Sequence, residues 1–192
     1  MKPETIHTVV FSPTGTSKKI ASAVARGIAS AAGTDPAETA PLRTIDLTHT
    51  AGASVTLPAD TVAVIAAPVY GGHAAPTAVK RLETLRGEGT PAVVVAGYGN
   101  RAFEKAVAEL AGLAVRQGFV PVAAGAFVGE HSYSTPETPV AAGRPDAQDL
   151  AEAAAFGAAV RKKLDAGELT PVDAARLKDV RTPLLPMLRF IR

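Results

Sequence analysis

IHTVVFSPTGTSKK, residues 6–19, falls into three parts with different chemistry. The apolar, β-branched run around Ile6, Val9, Val10 and Phe11 reads as a buried strand. Ser12, Pro13, Thr14, Gly15, Thr16 and Ser17 make a short hydroxyl-rich loop around one glycine. The residues that follow carry Ile20, Val24 and Ile28 four apart, the spacing of a single helical face. A strand ending in such a loop against a helix N-terminus makes an anion site, because unpaired backbone N–H groups and the positive end of the helix dipole converge there. Hydroxyls donate to phosphate oxygens without adding charge, and Gly15 lets the backbone come close. Lys18 and Lys19 fall in the first helical turn, where the dipole disfavours a cation; a bound dianion would relieve that conflict. An ordinary Ser/Thr cap beside two solvated lysines accounts for the same residues. The Walker A spacing G-x-x-x-x-G-K-[ST] is absent.

The rest of the chain repeats the plan. Helix one is expected to run to about Ala32, with Gly33 as the residue after its end. Residues 34–41 read as a turn-rich connection, 43–47 as a short second strand and 48–60 as polar loop. TVAVIAA (61–67) is an uninterrupted apolar run suited to a strand covered on both faces. A loop, PVYGGHAAP, follows it, then a helix over about 77–85 ended by Gly87 and Gly89. AVVVAGYGN (92–100) is a buried strand opening into glycines, and its helix is expected over about 102–116 with Phe103, Val107, Leu110 and Ala114 along one side. A fifth strand, 120–128, leads into the long polar loop GEHSYSTPETPVAAG (129–143). Pro145 at the first helical position opens a helix to Leu164, and Thr170 with Pro171 marks a short last one. The tail RTPLLPMLRFIR is apolar and basic. Strands thus alternate with helices five times, the pattern of a parallel sheet with helices on both faces. Ligands of such sheets bind beyond the carboxyl ends of the strands, and here the ends of the first, third, fourth and fifth carry glycine, hydroxyl or aromatic residues.

Bulk properties narrow the classes further. At 192 residues, 47% hydrophobic and 20% charged, the chain suits one folded globular domain rather than a disordered segment. The net charge of +2 is carried by dispersed Lys and Arg, so the pI near 9.0 is no argument for nucleic acid. The absence of cysteine excludes disulfides, thiolate metal sites, Cys nucleophiles and a protein-ligated iron–sulfur cluster of the usual kind. Residues 1–20 lack the apolar core of a secretory signal, and no run reaches the roughly 18 apolar residues of a membrane span, so a cytoplasmic protein is expected. No His, Asp or Glu spacing suggests a metal site. The serines lack a nucleophile elbow, and no catalytic residue is assigned.

With FSPTGTSKK, PVYGG and GYGNR in place, the chain resembles the flavodoxin-like FMN proteins. It is most similar to the flavodoxin half of two-part ferredoxin–flavodoxin electron-transfer proteins. The resemblance extends to FVGEHSYS and AAGRPDAQDL and so covers residues 5–165. It implies an α/β, doubly wound, five-stranded parallel sheet of order 2-1-3-4-5, an FMN-binding domain over residues 1–168, and a C-terminal extension or linker remnant over 169–192. Such relatives continue into a ferredoxin module with cysteine-ligated clusters. This sequence has no cysteine and stops at Arg192. A stand-alone protein, or one whose ferredoxin part is lost, is therefore expected. The tail is then the remnant of that connection or a helix end packed on the domain.

The resemblance places the FMN phosphate on Ser12, Thr14, Gly15, Thr16 and Ser17, the residues that the anion argument also selects. It places Pro68, Val69, Tyr70, Gly71, Gly72, Gly97, Tyr98, Gly99, Asn100 and Arg101 around the flavin ring. Tyr70 and Tyr98 would lie against the ring itself, where flat, polarisable side chains suit it. Gly71 and Gly72 allow a peptide unit to turn over cheaply. In flavodoxins a comparable flip presents a carbonyl to the flavin N5–H, so the pair is a candidate redox-tuning hinge, or else a plain tight turn. Backbone donors over 99–101, with the Arg101 charge, would stabilise electron density at N1 and O2. Arg101 departs from the acidic rims common in flavodoxins, which speaks against a very low potential. His73, Glu130 and His131 are candidate substrate or rim residues, whereas His7 and His49 are not. A loop as long as 129–143 inside a compact domain is more often functional than idle.

The expected function is non-covalent FMN binding and electron transfer between redox proteins, with a ferredoxin or ferredoxin module as one partner. An NAD(P)H- or quinone-dependent FMN oxidoreductase is the alternative. A non-redox binding module that keeps only the anion loop is a further one.

Overall fold

Alternating apolar residues build the sheet. In a computed structural model that describes residues 1–30, 39–50 and 54–177, β1 (Thr5–Val10) pairs in parallel with β2 (Leu42–Asp46) on one side and with β4 (Thr61–Tyr70) on the other. β7 (Pro91–Tyr98) pairs in parallel with β4, and β8 (Val120–Val128) with β7. The sheet order is β2-β1-β4-β7-β8, which is 2-1-3-4-5 when the five long strands are counted alone, as expected.

Successive side chains on each strand serve opposite faces. Ile6 and Val10 of β1, Val62, Val64 and Ala66 of β4, and Val93 and Val95 of β7 pack under α1 (Thr16–Ala29) and α4 (Ala147–Asp165). Val9, Ile65, Val94 and Ala96 pack on the other face, under α2 (Pro76–Leu82) and α3 (Ala106–Arg116). Both faces are covered, which is why these strands read as continuous apolar runs.

The helix Ile20–Val24–Ile28 face is buried as its spacing requires. α1 ends at Ala29, earlier than expected, and Ala32 and Gly33 lie outside the described residues. α1 and α4 approach closely through glycines. A Cβ at Gly27 would stand 1.9 Å from the Ala154 carbonyl oxygen, and one at Gly157 would stand 2.1 Å from that of Val24.

Other element boundaries depart from the sequence expectation for tertiary reasons. Residues 48–60 are not all loop: β3 (Val55–Leu57) pairs in parallel with β6 (Leu85–Gly87) in a separate two-stranded sheet. That pairing draws Leu85 out of the second helix, which stops at Leu82. PVYGGHAAP is not an open loop either. β4 continues to Tyr70, turns at Gly71–Gly72 and returns as β5 (His73–Ala74). α3 begins at Ala106 rather than 102, because Asn100 (φ 58°) and Glu104 (φ 40°) hold left-handed backbone that a right-handed helix cannot contain. Pro145 is not the first helical residue of α4. Asp146 is the N-cap, and it exchanges bonds with Asp149 in a capping box. Among the described residues after Thr170, a 3-10 turn, Ala174–Leu177, forms in place of the expected short helix. There the Val172 N–H donates to the Pro121 carbonyl, and Ala174 and Leu177 pack on the α2/α3 face. The tail from residue 178 lies outside the described residues.

Candidate functional site

The carboxyl ends of β1, β4, β7 and β8 surround one cleft. It is lined by Ser12, Pro13, Thr14, Thr16 and Ser17 at one end, by Pro68, Val69, Tyr70, Gly97, Tyr98 and Gly99 along its floor, and by Gly129, Glu130, His131 and Ser132 at its rim. The cleft is wide-mouthed, and about 570 Å³ of empty space lies within and above it, open solvent included.

The hydroxyl end is built by the strand-to-helix turn. Gly15 takes the left-handed conformation (φ 80°) and is the N-cap of α1. Its N–H donates to the Ser12 carbonyl at 3.0 Å, and Ser12 Oγ in turn accepts from the Lys18 N–H at 3.0 Å. These bonds leave the N–H groups of Thr14, Thr16 and Ser17 without a protein partner among the described residues. Apart from Pro13, the side chains that line this end are neutral hydroxyl donors and acceptors. Gly15 itself shapes the turn and is not among the lining residues.

Lys18 does not need a ligand to offset the helix dipole. Its Nζ lies 2.9 Å from Asp46 Oδ2, at the end of β2. Burial alone would raise the Asp46 carboxyl, but hydrogen bonds from Thr48 and Lys18 outweigh it and hold the group at about 2. Thr48 is also the acceptor for the Ser12 N–H, at 3.0 Å. Neither Asp46 nor Thr48 was marked by any local pattern.

The two tyrosines come from neighbouring strand ends. Tyr70 closes β4 and is 50% exposed; Tyr98 closes β7 and is half-buried with its ring edge-on to Phe103. Gly71 and Gly72 both have positive φ (58° and 83°), as the two central residues of a tight hairpin need. They lie outside the lining of the cleft, and the Gly72 carbonyl accepts from the Lys105 N–H at 2.9 Å. His73 turns to α3, where its Nδ1 lies 2.6 Å from Glu109 Oε1; the second carboxylate oxygen accepts from the Ala74 N–H. Asn100 and Arg101 also fall outside the lining, and Arg101 pairs with Glu104. His7 and His49 are not lining residues.

The rim loop is pinned at its base. Gly129 N–H donates to the Tyr98 carbonyl, Glu130 N–H to that of Arg144, and His131 N–H to that of Val140. A Cβ at Gly129 would come within 2.3 Å of Thr16 Cγ2, so the rim and the hydroxyl loop meet with no room for a side chain between them. Tyr133 N–H donates to His131 Nδ1 at 3.1 Å, which leaves Nε2 as the protonated nitrogen of the neutral ring. Below the loop, Arg144 makes a two-pronged ion pair with the buried Asp149, and this bond holds the Asp149 carboxyl below its usual range.

Pro13, Gly129 and Ser132 line the cleft although the sequence singled out only their neighbours. Among the described residues no three His, Asp or Glu side chains group as a metal site needs, and no helix is long and apolar enough to cross a membrane.

No protein-family description matches the chain, and no curated protein does. Solved structures match it in fold. A flavodoxin from the domain Archaea shares 14% identity at a TM-score of 0.51, over 84% of this chain and 99% of that one. A WrbA-like flavodoxin from Agrobacterium tumefaciens shares 15% at 0.52, over 85% and 98%. The flavodiiron protein from Giardia intestinalis shares 13% at 0.50, over 88% of this chain, which spans only 38% of that protein's length. The likeness is one of architecture: the chain has the flavodoxin-like α/β fold.

Proposed function

We propose that the chain binds FMN non-covalently in this cleft and passes electrons between redox proteins. One observation carries the reading. A neutral hydroxyl loop with free N–H groups at a helix N-terminus and two tyrosines from adjacent strand ends line the same cleft. The residues fit the ligand's two chemistries. Thr14, Thr16 and Ser17 would hold the phosphate through hydroxyls and backbone donors, with Ser12 and Gly15 shaping the turn. Tyr70 and Tyr98 would sandwich or flank the ring, and Pro68, Val69, Gly97 and Gly99 would give it a floor without bulk. FMN supplies the one- and two-electron chemistry when bound; the chain contributes binding and tuning. Gly71, Gly72, Asn100 and Arg101 belong to this reading as outer supports of the ring end.

Residues 1–168 are the FMN-binding unit in this proposal, and a ferredoxin or ferredoxin module is the kind of partner that the sequence resemblance favours. A second reading, an NAD(P)H- or quinone-dependent oxidoreductase, is favoured by the rim: Glu130, His131 and Ser132 border the cleft where a second substrate would approach. The test is the absorption spectrum of purified protein before and after FMN addition and desalting. Retained flavin bands are expected. Bleaching by NADPH alone would select the reductase, and a chain that retains no flavin would take the FMN reading down.

A further inference from the structure

Arg81 stands near the end of α2, the helix that follows the Tyr70 hairpin, and is not one of the residues that line the cleft. Its guanidinium carbon lies 5.4 Å from the centroid of the Phe11 ring. Its Nη1 donates to the Leu47 carbonyl at 2.6 Å and to the Thr48 carbonyl. Phe11 immediately precedes Ser12, and Thr48 Oγ1 accepts the Ser12 N–H. Thr48 N–H donates to Asp46 Oδ1 at 3.0 Å, while Asp46 Oδ2 pairs with Lys18. One side chain thus grips both the strand end that launches the hydroxyl loop and the segment that receives the loop's first N–H. A guanidinium suits both roles, because its delocalised cation lies over the ring while its N–H fork reaches the two carbonyls, a reach that a compact, strongly hydrated ammonium matches poorly.

We propose that Arg81 is a positioning residue for the anion-binding loop. By lying over the Phe11 ring and holding the carbonyls of Leu47 and Thr48, it fixes Thr48 and through it the Ser12 amide, so the loop is in place before a phosphate monoester arrives. Order present beforehand is order that binding does not have to supply. The ligand's identity rests on the FMN reading; the positioning role does not.

The test follows amide exchange at Ser12 and Lys18 in the ligand-free chain, then titrates FMN and riboflavin, which lacks the phosphate. In Arg81→Met, exchange at Ser12 is expected to accelerate while amides of β7 keep their protection. FMN should bind about tenfold more weakly, the scale of one lost hydrogen bond, with riboflavin affinity nearly unchanged. Arg81→Lys is expected not to restore the loop. Thr48→Val cuts the same chain of contacts without touching α2 and should reproduce the pattern. Unchanged Ser12 protection in Arg81→Met overturns the positioning role, whatever Thr48→Val does. So does equal weakening of both flavins, the mark of general loosening. A wild-type chain that binds FMN no better than riboflavin, with Ser12 protection lost in the variants, removes the FMN reading and upholds the positioning role.

Discussion

Across the cleft, residues 12–17 are bonded to their own helix and to a neighbouring strand end, whereas residues 129–143 are gripped at the base and leave Tyr133 81% exposed. The hydroxyl loop is short, and Ser12 and Ser17 within it are buried. The rim loop uses its bonds on itself: Ser134 N–H to the His131 carbonyl, Thr138 N–H to Thr135, Val140 N–H to Ser134 Oγ. In the proposed function, one side of the cleft is a preformed receptor and the other is a cover gripped at its base. A small, strongly charged ligand group profits most from the first kind, because its donors are already aimed. The second kind can follow whatever approaches an exposed ring.

The largest effect should come from breaking what the two regions share. α1 starts at the hydroxyl loop, α4 starts just after the rim loop, and the helices touch through Gly27 and Gly157. Gly157→Ala puts a methyl group 2.1 Å from the Val24 carbonyl oxygen, so the helices must separate. A loss of about 3 kcal/mol is expected, at the upper end for overpacking, read as a lower midpoint in denaturant. An unchanged midpoint would mean that the helix pair does not hold the two loops together.

Next comes a change confined to the receptor side. Thr14 and Thr16 bond to each other at 3.3 Å, and neither is buried. Thr14→Ala with Thr16→Ala should leave stability within about 0.5 kcal/mol and weaken FMN by about 3 kcal/mol, roughly a hundredfold, as two charge-assisted bonds go. Unchanged affinity would move the phosphate elsewhere.

The matching change on the cover side is Asp149→Asn. It removes the carboxylate that both Arg144 and the Asp146 N–H use. Loss of half the capping box is worth about 1 kcal/mol. Chymotrypsin should then cut after Tyr133 faster, while FMN affinity stays put. Equal cleavage rates would show that the rim loop does not depend on this anchor.

The contrast also explains what was legible in the sequence. The receptor side is six consecutive residues between a strand and a helix, so periodicity and turn chemistry expose it directly. The long strands are legible for the same reason, since both faces are apolar. The supports are not: Asp46, Thr48 and Arg81 are dozens of residues from the loop they hold and carry no local pattern. Strands β3 and β6 were missed because three-residue strands exist only through each other. At Gly71–Gly72 the permissive residues were legible, but composition does not reveal the hairpin they turn, whose strands pair Tyr70 with His73.

The smallest effect separates the two carboxylates that serve the two sides. Asp46, under the hydroxyl loop, has a side chain 35% exposed, and Asp149, under the rim, 7%. Folding lowers the Asp46 carboxyl from 3.8 to about 2. Between those values the unfolded chain binds more protons than the folded one, so stability falls as pH drops. The contribution is complete above the unfolded value and is lost as pH falls through the folded one. Asp46→Asn should therefore cost only about 0.5 kcal/mol at neutral pH, the scale of an exposed pair, and the difference from wild type should close on acidification. Salt separates the pairs further: at roughly 1 M, screening over about 3 Å should shrink the cost of Asp46→Asn and leave that of Asp149→Asn largely intact. Equal salt sensitivity in the two variants would mean that the rim anchor is as open to solvent as the receptor's, and the contrast between a preformed side and a covered one would not reach the charges beneath them.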